Sequence, residues 1–131
     1  MTQISVTVIT KNEAGNIVPC LTSVDWADEI IVVDGFSTDG TDRMARDLGA
    51  RLFQEPWKGF AAQKNSAVQK ARGPWILSLD ADERVTEPLR DEIRAVLTKA
   101  PRCEGYLIPR KNFFCGRFIR HGGWHPDLNL R

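Results

Sequence analysis

Residues 74–83 read PWILSLDADE, an apolar stretch that ends in Asp80, Ala81, Asp82 and Glu83. Its apolar half suits a strand covered on both faces, as in a parallel sheet with helices on each side. The stretch therefore predicts an α/β fold. Its carboxyl end predicts a binding site, because ligands of open α/β sheets lie in the crevice outside the carboxyl ends of the strands.

The acidic end of this strand indicates a cation. Three carboxylates within four residues repel one another, and a folded protein rarely gathers them unless a positive partner offsets the charge. Asp80 and Asp82 are separated by one small residue, so a turn after the strand can aim both at one ion. Mg²⁺ or Mn²⁺ held by one or two carboxylates keeps open positions that phosphates commonly take. The pair predicts a metal-bridged phosphate ligand, although an isolated Asp-x-Asp also suits a solvated turn.

The rest of the chain alternates apolar runs with helical periodicity. This order predicts a mostly parallel sheet with helices on both faces, a three-layer α/β/α sandwich. The predicted strands are residues 4–10, 29–34, 50–54 and 75–80, and the predicted helices begin near Asn16, Thr41, Phe60 and Thr86.

Length and charge narrow the class of protein. We expect one domain over residues 1–131, with a ligand-binding half at 1–100 and a different, basic and aromatic region at 101–131. The 18 basic and 17 acidic residues balance, so no nucleic-acid partner is expected.

Three further features bear on the compartment. The three cysteines lack metal-type spacing and indicate plain thiols in a reducing compartment. The first ten residues do not have a signal-peptide pattern, and no apolar run is long enough to cross a membrane. We expect a cytoplasmic protein, and peripheral contact of its basic region with the inner face of the cell membrane stays open.

A row of acids follows the predicted strands. If the strands are parallel, Glu13, Asp34 and the pair of Asp80 and Asp82 lie along one edge of the sheet. Polar loops after strands are common, but a nucleotide explains the row better, because carboxylates accept hydrogen bonds from ribose hydroxyls and base N–H groups. The first loop has no glycine-rich phosphate-binding pattern, so a metal would have to hold the phosphates.

Four segments in order resemble a known family. VTVITKNEAGNI at 6–17, EIIVVDGFSTDGT at 29–41, QKNSA at 63–67 and LDADE at 79–83 are similar to the inverting family 2 glycosyltransferases, which use nucleotide sugars and have the GT-A fold. Residues 108–131, IPRKNFFCGRFIRHGGWHPDLNLR, resemble the lipopolysaccharide-core glucosyltransferase-like subgroup.

The resemblance implies a donor site in residues 1–100 and the start of an acceptor-side region at 101–131. Thr10 and Glu13 match positions that contact the nucleotide, and Asp34 matches the acid that recognises the base or ribose. Lys64 matches a basic position near the base and phosphates. The donor expected from the family is a uridine diphosphate sugar, and the acceptor is a glycan or a lipid-linked saccharide of the cell envelope.

The resemblance also implies a mechanism. Asp80 and Asp82 match the motif that holds Mg²⁺ or Mn²⁺, with Asp82 the direct ligand. The reaction is a single in-line displacement with inversion, in which a base deprotonates the acceptor hydroxyl and the metal stabilises the leaving nucleoside diphosphate. Asp127 is the candidate base, and Glu104 is a second candidate.

Other interpretations stay open at this stage. Family members are longer than this chain, so a donor-binding piece without transferase activity is one alternative. A nucleotidyltransferase also uses a metal-bound carboxylate pair, but it would carry a glycine- and arginine-rich first loop where this chain has KNEAGN. A phosphoacceptor receiver domain would place its acidic pair after the first strand.

Overall fold

The computed structural model describes residues 3–99 and 105 and the strand segments 107–110, 113–114, 117–118 and 127–130. The chain forms two compact units, Met1–Ala100 and Pro101–Arg131. The functional assignment of the two parts stays a prediction. Within the described residues, no helix is both long enough and apolar enough to cross a membrane.

The first unit alternates strands and helices as the sequence predicts. Its elements are β1 (Ile4–Thr10), α1 (Ile17–Thr22), β2 (Glu29–Asp34), α2 (Thr41–Asp47), β3 (Arg51–Gln54), α3 (Phe60–Gln69), β4 (Trp75–Asp80) and α4 (Glu87–Thr98). The predicted cap of the fourth helix is confirmed, because Thr86 Oγ1 accepts a hydrogen bond from Leu89 N at 3.3 Å.

The four strands form one parallel sheet in the order β3-β2-β1-β4, which confirms the α/β prediction. The connections from β1 through β3 run in one direction, and the connection to β4 returns past β2 and β1. Right-handed crossovers therefore place α1 and α2 on one face of the sheet and α3 on the other. The strand order reverses between β1 and β4, and such a switch point is where open α/β sheets bind ligands.

The core lies on both faces of the central strands. All seven residues of β1 are buried, and Ile9, Ile31, Val33 and Ala67 form a buried cluster that joins β1 and β2 to α3. The outer strand β4 is less covered than its apolar sequence predicts. Trp75 and the residues beside it are half-buried, because β4 has only one neighbouring strand among the described residues.

The second unit contains two small antiparallel pairs. Its strands are β5 (Leu107–Arg110), β6 (Phe113–Phe114), β7 (Arg117–Phe118) and β8 (Asp127–Leu130). β5 pairs with β8, and β6 pairs with β7. The sequence run at 106–108 predicts one strand, and the residues after it show no clear periodicity, so β6, β7 and β8 are additions to that prediction.

Candidate functional site

Three of the predicted site residues end neighbouring strands. Thr10 lies opposite Asp34 in the pairing of β1 with β2, and Ile9 lies opposite Asp80 in the pairing of β1 with β4. Because the strands are parallel, these residues share the carboxyl edge of the sheet. The predicted row of acids at one edge is therefore the arrangement that the structure has.

A tight turn follows β4 and separates its carboxylates. Glu83 N donates to Asp80 O at 2.9 Å, and Asp80 N donates to Glu83 Oε1 at 2.8 Å. Ala81 packs inward and is buried, whereas Asp82 is exposed. Asp82 makes no hydrogen bond or ion pair with the residues that the structure describes. Glu83 thus closes the turn, and the carboxylate of Asp82 is left for solvent or a ligand.

Lys64 brings α3 to this turn. Its Nζ lies 3.0 Å from Asp80 Oδ1, and both side chains are about one-third exposed. The ion pair offsets one charge of the acidic turn and keeps a cation beside it. A phosphate placed next to this turn would meet the Lys64 ammonium, which is a strong phosphate partner.

Asp34 is fully buried and its oxygens are already bonded. Oδ1 accepts from Thr10 Oγ1 at 2.6 Å and from Ser37 Oγ at 2.5 Å, and Oδ2 accepts from Ser37 N at 2.8 Å. Thr10 is also buried. In this arrangement Thr10 and Asp34 fix the loop after β2. Their contact with a nucleotide stays a prediction.

The loops after β1 and β2 are joined by hydrogen bonds. Asn12 N donates to Ser37 Oγ at 2.8 Å, and Lys11 Nζ donates to the carbonyl of Gly35 at 2.7 Å and of Phe36 at 3.1 Å. Asn12 and Phe36 have φ of 54° and 58°, a region that non-glycine residues rarely adopt. Such strain persists only where surrounding contacts hold it, and it concentrates at functional sites.

Glu13 completes the acidic edge from the loop between β1 and α1. Its side chain is partly exposed and accepts from Asn16 Nδ2 at 3.1 Å, while its backbone N donates to Thr41 Oγ1 at 2.9 Å. The adjacent loop residue Asp39 accepts from Thr41 N and Ala14 N. This loop therefore shapes the turn and the start of α2.

The buried thiol of Cys20 responds to the charge of this edge. Its Sγ lies 3.6 Å from the carbonyl oxygen of Asp80. Burial, followed by the negative charges of Glu83, Asp82, Asp80 and Glu13, raises the pKa of Cys20 to about 12. The negative charges of all four carboxylates therefore reach the buried thiol of Cys20.

The donor atoms fit a hard cation. The described residues contain no group of three or more His, Cys, Asp or Glu side chains placed to hold a metal. A site in which one or two carboxylates hold Mg²⁺ or Mn²⁺ and ligand phosphates complete the shell does not require a third protein ligand. Asp82, which is exposed and has no described partner, meets that requirement, and Asp80 shares its carboxylate with Lys64.

Both candidate bases fall outside what the structure can place. Glu104 lies outside the described residues. Asp127 begins β8 and pairs along the backbone with Arg110, but its side chain is not among those described. The assignment of either residue as the base stays a prediction.

Two features of α3 and the loop before it were not identified from the sequence. Trp57 and Phe60 form an exposed aromatic pair at the start of the helix. Gln63 is fully buried, and its amide nitrogen and oxygen have no hydrogen-bond partner among the described residues. The available signal was the segment WKGF at 57–60, two residues before QKN, in which two aromatic residues enclose Lys58 and Gly59.

Comparison with known proteins identifies the family. The model described as Glycosyl transferase family 2 matches residues 5–122, nearly the whole chain. The chain belongs to glycosyltransferase family 2. It is 33% identical over 147 residues to the lipopolysaccharide core biosynthesis glycosyltransferase LpsC of Rhizobium meliloti, in an alignment covering 98% of this chain and 54% of LpsC.

Solved structures show the same fold. Residues 1–349 of S. aureus TarS in complex with UDP-GlcNAc match with a TM-score of 0.70 at 22% identity, over 94% of this chain and 38% of that one. Glucosyl-3-phosphoglycerate synthase from Mycobacterium tuberculosis, in complex with Mn²⁺, UDP and glucosyl-3-phosphoglycerate, matches with a TM-score of 0.56 at 24% identity, over 77% and 41%. These structural matches support the GT-A fold prediction. The chain spans about a third to about half of the length of the curated relatives it matches.

Proposed function

We propose that this family 2 chain binds a nucleotide-sugar donor, a UDP-sugar in the first instance, for transfer to a saccharide or lipid-linked acceptor of the lipopolysaccharide. One observation carries the proposal. At the switch point of the sheet, Asp82 presents a carboxylate that no described residue satisfies, directly beside the ion pair of Asp80 and Lys64. This arrangement suits a metal-bound diphosphate.

The acidic turn would hold the metal. Asp82, with Asp80 beside it, supplies hard oxygen ligands for Mg²⁺ or Mn²⁺, which would neutralise charge on the leaving diphosphate. Lys64 holds a second positive charge next to the same phosphates. Support from relatives is that the synthase from M. tuberculosis was solved with Mn²⁺ and UDP, and TarS with UDP-GlcNAc.

The other edge residues bind or position the nucleotide. Glu13 is partly exposed and offers its carboxylate to hydroxyl groups of the donor. Thr10 and Asp34 act in this proposal through the loops they hold together, since both side chains are buried and bonded to each other. A direct contact of either residue with the nucleotide would require those bonds to exchange.

Transfer would proceed by one displacement with inversion at the anomeric carbon. A carboxylate across the sugar from the metal must take the proton of the acceptor hydroxyl as that oxygen attacks. We assign this role to Asp127.

A peripheral position at the inner face of the cell membrane is part of the proposal and is supported by the six basic and two acidic residues between 101 and 131.

A second candidate function is donor binding without transfer. The chain spans about a third to about half of the length of these curated relatives, so the activity of the whole protein is a separate proposal from donor binding. Binding and transfer must therefore be measured separately. Binding of UDP tests the donor site, and release of UDP from a UDP-sugar in the presence of acceptor tests the complete reaction.

The test of the donor site is calorimetric titration with UDP, with and without Mn²⁺. We expect Mn²⁺-dependent binding that Asp82→Ala weakens at least tenfold, since the variant removes the metal's main ligand. The matched control is Asp47→Ala, which removes an exposed acid at the end of α2 and should leave binding unchanged. Equal binding by the Asp82 variant and the wild type would contradict the proposed site.

A further inference from the structure

Two aromatic side chains lie exposed on the connection from β3 into α3. The rings of Trp57 and Phe60 meet edge to face, with centroids 5.2 Å apart and planes at 88°. Trp57 is 41% exposed and Phe60 is 70% exposed. Single exposed apolar residues are common on proteins, but a paired set leaves a continuous apolar face in water, and covering it with another planar group is favourable.

Gly35 places this pair at the carboxyl end of β2. A Cβ atom on Gly35 would lie 3.3 Å from Trp57 Cε3 and 3.4 Å from Lys11 Cδ, so the indole packs closely over the glycine backbone. Gly35 directly follows Asp34, and its carbonyl is held by Lys11 Nζ at 2.7 Å. Trp57 therefore stands over the loop that the buried hydrogen bonds of Asp34 fix in place.

Phe60 connects the aromatic pair to the acidic turn. Phe60 and Lys64 are four residues apart on α3, so they share one face of the helix, with a rise of about 6 Å between them. Lys64 in turn lies 3.0 Å from Asp80. Along this line an apolar face, a cation and a carboxylate pair follow one another.

We infer that Trp57 and Phe60 form the face on which the planar base of the nucleotide stacks. This inference rests on the proposed donor site. β2 and β4 are separated by β1, so their ends lie about 10 Å apart. A nucleotide with its diphosphate at the β4 turn spans this distance with its ribose, which brings the base to the β2 side and to Trp57.

The same geometry separates the base from the other parts of the donor. The sugar is joined to the far phosphate, so it lies on the opposite side of the diphosphate from the ribose. It would then be near the acidic turn rather than near Gly35. Stacking of a base on an aromatic side chain tolerates any base, so this face supplies affinity, and hydrogen bonds elsewhere must supply base selectivity.

The experiment compares two probes in the presence of Mn²⁺. UDP carries the base, and pyrophosphate carries only the charged part. We expect Trp57→Ala and Phe60→Ala each to weaken UDP binding about tenfold, within the range found when base-stacking aromatics are removed, and to leave pyrophosphate binding unchanged. Trp57→Phe should restore most of the affinity for UDP. The control is Val68→Ala on the same helix, where the removed side chain is 40% exposed.

The outcomes separate this inference from the proposed function. UDP binding that is unchanged in both alanine variants overturns the stacking role and leaves the donor site in place. Equal weakening of UDP and pyrophosphate also overturns it, because the aromatic pair would then support the phosphate site. If a UDP-sugar binds less well but UDP does not, the pair contacts the sugar instead. Failure of the wild type to bind either probe contradicts the donor site, and the inference falls with it.

Phe60 is 70% exposed, so its variant should fold normally, which circular dichroism can verify.

Discussion

The two ends of the parallel sheet use carboxylates in opposite ways. At the amino end, Asp28 Oδ2 accepts from Gln3 N at 2.9 Å and from Ile4 N at 2.8 Å. Glu29 beside it is bonded by a hydroxyl, a backbone N–H and a guanidinium: Ser5 Oγ at 2.6 Å, Arg72 N at 2.5 Å and Arg51 Nη1 at 2.9 Å. These two acids join neighbouring segments of the chain, and their negative charge is offset by hydrogen bonds and an ion pair within the fold.

At the carboxyl end, the turn after β4 includes one carboxylate, that of Asp82, which the described fold does not use. Asp82 has no described partner, and Asp80 shares one oxygen with Lys64. Acids kept unsatisfied beside other acids cost stability unless a ligand offsets them. The comparison teaches that hydrogen-bond saturation, rather than position at a strand end, separates structural acids from candidate ligands.

Asp34 tests this distinction, because it lies at the carboxyl end but is saturated. Asp34→Ala would leave the buried hydroxyl of Thr10 and the half-buried hydroxyl and backbone N of Ser37 without their acceptor. We expect the free energy of unfolding to fall by about 3 kcal/mol, since each orphaned buried group costs about 1 kcal/mol or more. Urea denaturation followed by circular dichroism measures the change.

The matched control for Asp34 is the exposed acid of the same edge. Asp82→Ala should change the free energy of unfolding by less than about 0.5 kcal/mol, as is usual for surface positions without partners. If both variants lose stability equally, saturation does not distinguish the two acids. If Asp34→Ala folds as well as the wild type but no longer binds UDP, Asp34 contacts the ligand directly.

Glu29 at the amino end of the sheet predicts a pH dependence of stability that tests whether its charge is used within the fold. Burial alone would raise its pKa, but hydrogen bonds from Ser5, Arg72 N and Arg51 outweigh it and hold the pKa below its ordinary value of 4.5. The folded state therefore prefers the charged form, and this stabilisation is present above about pH 4.5 and is lost as the pH falls through the lower folded pKa.

Glu29→Gln should cost about 2 kcal/mol at pH 7, the value of a few charge-assisted hydrogen bonds. The difference between variant and wild type should shrink as the pH falls below 4.5, because protonated Glu29 also lacks the charge. Urea denaturation from pH 3 to pH 7 measures both effects. The control is Asp47→Asn at an exposed position. A difference that stays constant over this pH range would show that the charge of Glu29 is not what stabilises the sheet.

The fold was predictable because its signals are local. The β-branched and apolar runs, the Thr86 cap and the acids after the strands each follow from a few neighbouring residues, and parallel topology then places Asp34 and Asp80 at one edge. The saturation of Asp34 was not predictable, because one of its donors, Thr10 Oγ1, lies 24 positions away in the sequence on a neighbouring strand. The packing of Trp57 on Gly35 likewise depends on a contact between residues 22 positions apart, which no local pattern reports.

Substitution of Gln63 should give the smallest change in the free energy of unfolding, and it should stabilise the protein where the other substitutions destabilise it. The buried amide of Gln63 has no hydrogen-bond partner among the described residues, so it resembles neither the saturated acids of the amino end nor the exposed Asp82. Gln63→Met keeps the length of the side chain and removes both unsatisfied groups, so unfolding should cost up to about 1 kcal/mol more.

The matched control is Gln69→Met, the same change at an exposed position of α3, which should be neutral. Thermal and urea denaturation measure stability, and titration with UDP and Mn²⁺ checks the site. A loss of stability in Gln63→Met alone would show that the amide is satisfied in solution, which buried water can do. A loss of UDP affinity with unchanged stability would instead place Gln63 with Asp82, among the polar groups that the fold leaves for the ligand.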